Sequence, residues 1–192
     1  MAKKLKSINP LNLTEAYFKV QSYFFDYPAK EFSLNDLCAS IKISKTTANK
    51  VVLELVKEGF LNIQTIGKLW RITCNQRHYY NTTRKIPYHL NLVYESEIVE
   101  RISNIIHNYK AIILFGSYRK GDDDEKSDID MAVEIIKDDA LKIVRLGNIP
   151  RLGYRENVPI NLHIFSKDMI DLNLFANIAN GIVLYGFLEV RP

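Results

Sequence analysis

The sequence predicts an α+β protein in two parts: a basic, mainly helical domain over residues 11–75, and a small mixed-sheet α/β domain over residues 95–192. The charge divides between them, because residues 1–90 carry 14 Lys and Arg against 6 Asp and Glu, whereas residues 91–192 carry 12 against 16. In the first part, three helical apolar periods precede two short alternating runs. In the second, a continuous apolar run reaches Gly116, and the alternating run DIDMAVEI follows.

The overall composition is that of a folded globular protein, with 47% hydrophobic and 25% charged residues in 192. No apolar run approaches the roughly 20 residues that a membrane span needs. The start, MAKKLKSINPLNLTEAY, lacks the apolar stretch of a signal peptide, so we expect a cytoplasmic protein with no membrane contact. Cys38 and Cys74 are isolated, which argues against a zinc site or a disulfide framework.

Capping residues mark the helices of the first part. Thr14 precedes a helical period that Pro28 ends, Ser33 precedes a second short helix, and Ser44 precedes a third that stops at Gly59. The segment FLNIQTIGKLWRI then alternates around a Gly-Lys turn, which predicts a β-hairpin. Helix, helix, turn, helix and hairpin therefore follow one another over about 60 residues.

This order, together with the stretch ISKTTANKVVLELVKEGFL, resembles the winged helix-turn-helix domains of prokaryotic transcription regulators. The resemblance implies binding to double-stranded DNA, with short polar and basic groups of the third helix entering a major groove. The candidate DNA-binding residues are Lys42, Lys45, Thr46, Thr47, Asn49, Lys50 and, at the hairpin tip, Lys68. Two alternatives stay open: the lysines are simply solvated, or the domain binds protein or forms a homodimer interface.

Residues 76–94, QRHYYNTTRKIPYHLNLVY, show no clean period, so they are predicted to be a linker with some helix. A further helix is predicted after Ser96, and the run AIILFGS is predicted to be a buried strand. None of the four histidines has a partner at metal-ligand spacing, which favours packed or surface imidazoles at His78, His89, His107 and His163.

Two features of the second part predict chemistry. Gly116 and Ser117 end the apolar strand in a turn whose N–H groups and hydroxyl suit phosphate oxygens. Asp128 and Asp130 point to one face of the next strand, with α-carbons about 6.5–7 Å apart. Two carboxylates at that separation can share one Mg²⁺, a cation that prefers oxygen ligands at about 2.1 Å.

Gly-Ser, ten residues and Asp-x-Asp is the motif of the minimal nucleotidyltransferases in the DNA polymerase beta superfamily, which residues 95–187 resemble. The C-terminal stretch FANIANGIVLYGF is also similar to the C-terminal helix of that family and the G-x-x-L-Y sequence that follows it. The resemblance implies that Gly116 and Ser117, with Arg119 and Lys120 beside them, bind a nucleoside triphosphate. Asp128 and Asp130 would hold Mg²⁺ on it, and a nucleoside monophosphate such as AMP would pass to a protein, RNA or small-molecule acceptor.

The sequence departs from the family at the third carboxylate, which assists the attacking hydroxyl. The matching strand is predicted to be VPINLHIFS, where Asn161 stands at the acidic position as a degenerate third catalytic residue. An amide does not accept that proton. A shifted strand alignment is the alternative. Glu156, in the preceding segment, could reach in only if that loop folds back. Glu134 lies about 13 Å along its strand from Asp130, which is too far for the same ion.

The acidic run from Asp122 to Glu125, between the phosphate turn and the metal strand, is predicted to be a solvated loop. Two functional hypotheses follow. In the first, the chain is a DNA-binding regulator whose nucleotidyltransferase-like domain binds Mg-nucleotide without the third acid. In the second, it is an active Mg²⁺-dependent nucleotidyltransferase.

Overall fold

The computed structural model describes residues 14–67, 69–136 and 139–190. Within these ranges no helix has the length and apolar character needed to cross a membrane. The first part contains three helices and a two-stranded antiparallel hairpin, as the capping and alternation patterns predict. The elements are α1 (Glu15–Asp26), α2 (Leu34–Ile41), α3 (Lys45–Lys57), β1 (Leu61–Ile66) and β2 (Leu69–Cys74).

The three predicted N-caps are confirmed. The side chains of Thr14, Ser33 and Ser44 each accept a hydrogen bond from a backbone N–H three residues further on, at 3.1–3.2 Å. Lys42 joins α2 to α3 in a left-handed conformation, with φ 55°. The hairpin is tied to the helices by an isolated bridge between Phe32 and Ile72. Lys68, predicted to contact DNA at the hairpin tip, lies outside the described residues.

The segment predicted as a linker is mostly helical and closely packed. It contains α4 (Tyr80–Thr83) and most of α5 (Lys85–Glu95), and it buries five side chains: Tyr80, Asn81, Lys85, His89 and Val93. Four of these five carry polar groups with polar contacts inside the protein. Burial of polar groups explains why no apolar period is visible in the sequence of this segment.

One predicted cap is wrong. Ser96 ends α5 rather than starting the next helix, and its hydroxyl donates to the carbonyl of Val93 at 2.7 Å. The following helix, α6 (Ile98–Ile105), begins after Glu97, whose left-handed backbone (φ 58°) gives no side-chain cap. The reason is that a hydroxyl close to a helix end can equally bond the carbonyls of the preceding helix.

A five-stranded mixed sheet forms the second part, in the order β5-β6-β4-β3-β7. Only β4 and β6 run parallel; the other neighbours are antiparallel. The elements are β3 (Tyr109–Phe115), α7 (Gly116–Lys120), β4 (Ile129–Ile135), β5 (Lys142–Leu152), β6 (Arg155–Phe165), a 3₁₀ turn (Lys167–Met169), α8 (Leu172–Ala179) and β7 (Ile182–Gly186). Strand β5 is mostly exposed and does not alternate, so the sequence pattern did not indicate it.

Both faces of the sheet are covered. Alternate residues of β4, including Ile129, Met131 and Val133, pack with residues of α5 and α6 in one core cluster. The opposite face, which carries Ala132, packs with Ile178 of α8 in another. Asp130 lies two residues before Ala132, so its side chain projects on the face that α8 covers.

The end of α1 contacts the second part directly. The carboxylate of Asp26 accepts hydrogen bonds from the N–H of Tyr154 at 2.7 Å and from the hydroxyl of Tyr88 at 3.0 Å. The hydroxyl of Tyr27 donates to the carbonyl of Tyr154 at 2.7 Å. Helix α5 and the β5–β6 turn thus meet at the C-terminal end of α1.

Candidate active site

One row of residues crosses the sheet at the end of β3. Phe115 pairs with Asp130 on β4, Asp130 with Asn161 on β6, and Asn161 with Arg145 on β5. Directly paired residues project to the same face of a sheet. Asn161 therefore lies beside Asp130 on neighbouring strands, at the position where the resemblance implies an acid.

The two aspartates converge on that amide. The Asn161 side-chain nitrogen donates to a carboxylate oxygen of Asp128 at 3.1 Å and lies 3.4 Å from one of Asp130. All three residues are only partly buried. A single donor shared by two carboxylates offsets part of their mutual repulsion when no cation is bound.

Gly116 brings the start of α7, the predicted phosphate turn, against β4, the predicted metal strand. Its φ is +73°, and a Cβ at this position would lie 2.6 Å from the Oδ2 atom of Asp130. Only glycine meets both the left-handed backbone and the close approach without strain. The turn and Asp130 are thus in van der Waals contact, as the predicted site requires.

A cavity of about 210 Å³ opens beside the turn, between α7 and α8. Gly116, Arg119 and Lys120 line it from the turn. Phe115, Leu174, Asn177 and Asn180 form the rest of its wall. Neither Arg119 nor Lys120 forms an ion pair with any residue in the described ranges, so both cations are available to an anion.

His163 lies next to the aspartates. Its Nε2 atom is 3.9 Å from Oδ1 of Asp130, and its ring packs edge-on against Phe115 with centroids 5.0 Å apart. Burial lowers the pKa of His163 below its ordinary value, and the negative charge of Asp130 opposes this only in part. The imidazole is therefore neutral at neutral pH.

Asp128, Asp130 and Asn161 carry the oxygen atoms that Mg²⁺ prefers as ligands, but these side chains are few. Across residues 14–67, 69–136 and 139–190, no three His, Cys, Asp or Glu side chains are grouped so that they could hold a metal ion. Two carboxylates remain, and a half-turn of the Asn161 amide would add a neutral carbonyl oxygen. Such a set can hold Mg²⁺ when a nucleotide's phosphates and water complete the shell.

Glu156 and Glu134 do not supply the missing acid. Glu156 is exposed and lies five residues before Asn161, on the far side of Asn157, whose left-handed backbone (φ 53°) interrupts the extended conformation of the strand. Glu134 is fully buried on the site face of β4, four residues beyond Asp130, with its carboxylate 3.5 Å from the Lys110 amine.

The acidic run after α7 is not wholly solvated, which corrects the prediction for this loop. Asp123 is 2% exposed and lies between Lys85 and His89, whereas Asp122 is exposed as predicted. Asp124 folds back on the loop and accepts hydrogen bonds from the N–H of Lys126 and the hydroxyl of Ser127. The partners of Asp123 come from a distant helix, so no local pattern could have indicated its burial.

Sequence reasoning also missed two arginines near the site. Arg145 is exposed on the edge strand directly opposite Asn161, and Arg155 is 4% exposed at the start of β6. Arg155 has contacts with both ends of the segment that joins the phosphate turn to Asp128. For Arg155, the sequence offers one signal, an arginine at the start of a run of alternating apolar residues. That signal is weak.

The predicted DNA-binding residues cluster at the start of α3. Lys42, Lys45, Thr46 and Lys50 are exposed, whereas Thr47 and Asn49 are half-buried. The Thr47 hydroxyl is engaged by the capping Ser44 at 2.7 Å. A shallow cavity of about 200 Å³ lies between α3 and the hairpin, lined by Lys45 and Asn49 together with Ser33, Leu34, Asn35, Leu69 and Trp70.

Comparison with known proteins concerns the second part of the chain. Residues 100–186 match the family described as "Polymerase beta, Nucleotidyltransferase". No curated protein matches the chain. Among solved structures, that of a proposed nucleotidyltransferase from Sulfolobus solfataricus aligns at 19% identity with a TM-score of 0.32, covering 57% of this chain and 95% of that one. Residues 100–186 thus form a nucleotidyltransferase-like domain that is similar to the polymerase beta family.

Proposed function

We propose that this protein is a cytoplasmic DNA-binding regulator whose nucleotidyltransferase-like domain binds a magnesium–nucleotide complex and transfers nucleotide poorly. The observation that carries the proposal is the position of Asn161. It pairs with Asp130 across the sheet and contacts both aspartates, where the resemblance calls for a third carboxylate.

Poor transfer follows from the chemistry of an amide. Asn161 carries no negative charge and does not take a proton from an attacking hydroxyl. Help from a positioned base is worth about 10²- to 10⁴-fold in rate. Binding depends less on that base, because the phosphate turn and the two aspartates contact the triphosphate and its metal instead.

The other residues of the candidate site have separate roles in binding the magnesium–nucleotide complex. Asp128 and Asp130, with the Asn161 carbonyl, would hold Mg²⁺, which neutralises phosphate charge and aligns the triphosphate when bound. Gly116 and Ser117 approach the phosphates. Arg119 and Lys120 supply positive charge at the rim of the adjoining cavity.

The first part supports the DNA-binding half of the proposal. Its three helices and hairpin follow the winged helix-turn-helix order, and residues 1–90 carry a net charge of +8 from 14 basic and 6 acidic residues. The exposed side chains at the start of α3 suit a major groove of double-stranded DNA. Regulators of this kind often act as dimers, so a homodimer is part of the proposal.

An active nucleotidyltransferase is the second candidate. It is favoured by the close approach of Gly116 to Asp130, since that contact joins the phosphate turn to the metal strand as transfer requires. In this case a protein or RNA would act as acceptor, and Arg145, in the row beyond Asn161, would face it.

Incubation with Mg²⁺ and α-labelled ATP, CTP, GTP or UTP separates the candidates. We expect retention of labelled nucleotide by the unmodified protein, no transfer to itself or to added RNA, and loss of retention in Asp130→Ala. Transfer by the unmodified protein that Asp130→Ala abolishes would establish the active enzyme instead. Absence of both Mg²⁺-dependent retention and transfer would refute both candidates.

Gel retardation over a salt series tests DNA binding. Loss of phosphate contacts lowers affinity at every DNA sequence and flattens the salt dependence. We expect both effects in a Lys45→Ala, Lys50→Ala double variant. The matched control is Lys57→Ala, at the exposed far end of α3. Equal retention of all three proteins would exclude α3 as the DNA-contacting helix.

A further inference from the structure

The ten residues between Ser117 and Asp128 connect the phosphate turn to the metal strand. We call residues 118–127 the spacer. It begins in α7 and ends immediately before Asp128. Because it joins two parts of the candidate site, its shape contributes, together with the pairing of β3 with β4, to where Ser117 and Asp128 lie relative to each other.

A single buried side chain contacts both ends of the spacer. One terminal nitrogen of Arg155 donates to the hydroxyl of Tyr118, the first spacer residue. The other donates at 2.6 Å to the carbonyl of Ser127, the last. Arg155 itself opens β6, the strand that carries Asn161 six residues later. All three segments of the candidate site are therefore connected through one guanidinium group.

Only arginine can make this connection. Its planar group offers donors at fixed angles, whereas a lysine ammonium is a single point of charge. The Arg155 side chain is deeply buried and its Nε atom has no hydrogen-bond partner. Burial of a charged group is costly, so retaining it for stability alone gains little over a well-packed apolar side chain.

The middle of the spacer is held by contacts with α4 and α5 that do not involve Arg155. Gly121 packs so tightly on helix α4 that a Cβ there would lie 2.0 Å from the carbonyl oxygen of Asn81. The Lys85 amine donates to the main-chain carbonyl of Asp123 at 2.5 Å and lies 3.1 Å from its carboxylate. The middle of the spacer is thus fixed to α4 and α5, and Arg155 joins its two ends.

We propose that Arg155 is a positioning residue for the candidate site. It acts by holding Tyr118 and Ser127, the neighbours of Ser117 and Asp128, rather than by contacting metal or nucleotide. The proposal rests on the proposed binding of Mg-nucleotide for its functional consequence, but the positioning itself is a property of the chain without ligand.

Hydrogen exchange without nucleotide tests the positioning. We expect faster exchange of backbone amides in residues 117–128 of Arg155→Lys, and little change in the first part of the chain. Tyr118→Phe removes one acceptor with little change in volume, so it should show the same local effect more weakly if Arg155→Lys folds poorly. Arg151→Lys, an exposed arginine of β5, is the matched control. Unchanged exchange in residues 117–128 of both test variants would overturn the proposal.

Titration with Mg-ATP, and with ATP in EDTA, tests the consequence. Displacement of Asp128 should weaken Mg-ATP binding by about tenfold in Arg155→Lys, comparable to loss of one charge-assisted hydrogen bond. Binding of metal-free ATP should change less, and Arg151→Lys should match the unmodified protein. Equal Mg-ATP affinity in Arg155→Lys would overturn the functional role. If the unmodified protein binds no Mg-ATP, the proposed function fails, and the exchange measurement still decides whether Arg155 holds the spacer.

Discussion

The side-chain nitrogen of Asn161 lies 3.1 Å from a carboxylate oxygen of Asp128. The same nitrogen lies 3.4 Å from Asp130, so one neutral donor is placed between two acids. The amide thus has opposite effects in the two states of the site. It stabilises the pair of aspartates when no cation is present, and it offers Mg²⁺ less charge than a carboxylate would.

Asn161→Asp should reverse this balance. Three carboxylates without a donor between them repel one another, so we expect a lower melting temperature in EDTA than for the unmodified protein. Added Mg²⁺ should then raise the melting temperature more than in the unmodified protein, because a third charged oxygen strengthens cation binding. Asn148→Asp, exposed on β5, makes the same charge change away from the site and should respond to Mg²⁺ like the unmodified protein. An equal Mg²⁺ response in both variants would show that Asn161 does not face a cation.

Gly116→Ala should disturb the site beyond its backbone strain. The left-handed φ costs an alanine about 1 kcal/mol or more wherever it occurs. At Gly116 the added methyl group also meets the Asp130 carboxylate at 2.6 Å. Gly147→Ala is the matched control, since that residue has φ +102° and nothing within 4 Å of the new Cβ. Urea unfolding and Mg-ATP titration should show a larger loss in Gly116→Ala; equal losses would indicate that the contact with Asp130 is unimportant.

His89 should make the stability of the protein depend on pH. The imidazole lies 3.3 Å from Asp123 and 3.5 Å from Asp26. Burial lowers the pKa of His89, but contacts with Asp123 and Asp26 outweigh this effect and raise the pKa above 6.5. Lys85, which also contacts Asp123, is a cation near this arrangement and opposes protonation. A raised folded-state pKa contributes stability that is complete below about pH 6.5 and is lost as pH rises through the folded pKa.

The measurement is the free energy of unfolding of the unmodified protein and of His89→Gln, in EDTA, across pH 5.5–9. We expect the difference between them to be largest at the acid end and to shrink as pH rises. His163→Gln provides the contrast, because the pKa of His163 is lowered and its neutral form is the one that folding favours. The free energy of unfolding of the unmodified protein, relative to that of His163→Gln, should therefore increase as pH rises. The same slope in both variants would contradict the environment described for His89.

Much of the site could be predicted because its geometry is local to each strand. The two-residue spacing of Asp128 and Asp130 fixes their common face, and the glycine at the end of an apolar strand marks the turn. The caps at Thr14, Ser33 and Ser44 are equally local, and all three were confirmed.

The features that were missed depend on partners distant in sequence. Asp123 is indistinguishable in the sequence from its solvated neighbour Asp122, since only the packing of α5 against the spacer buries it. The same is true of Lys85 and His89, whose polarity made a packed helix resemble a linker. Strand β5 is paired on one side only and exposed on most of its length, so neither apolar alternation nor burial marks it.

Lys85 and Asp123 should behave as a coupled buried pair. Their charged atoms lie 3.1 Å apart, with side chains 1% and 0% exposed. Removing one partner leaves the other charge buried without its ion-pair partner, which typically costs about 3–5 kcal/mol. We therefore expect large, similar losses of unfolding free energy in Lys85→Met and in Asp123→Asn. The double variant should lose much less than the sum of the two, because it leaves neither charge behind. Asp122→Asn, one residue away and exposed, should change stability little.

Urea unfolding of the four variants measures the coupling between Lys85 and Asp123. Additive losses would mean that this pair does not hold the spacer. Asp123 would then behave as the solvated acid that its sequence suggests.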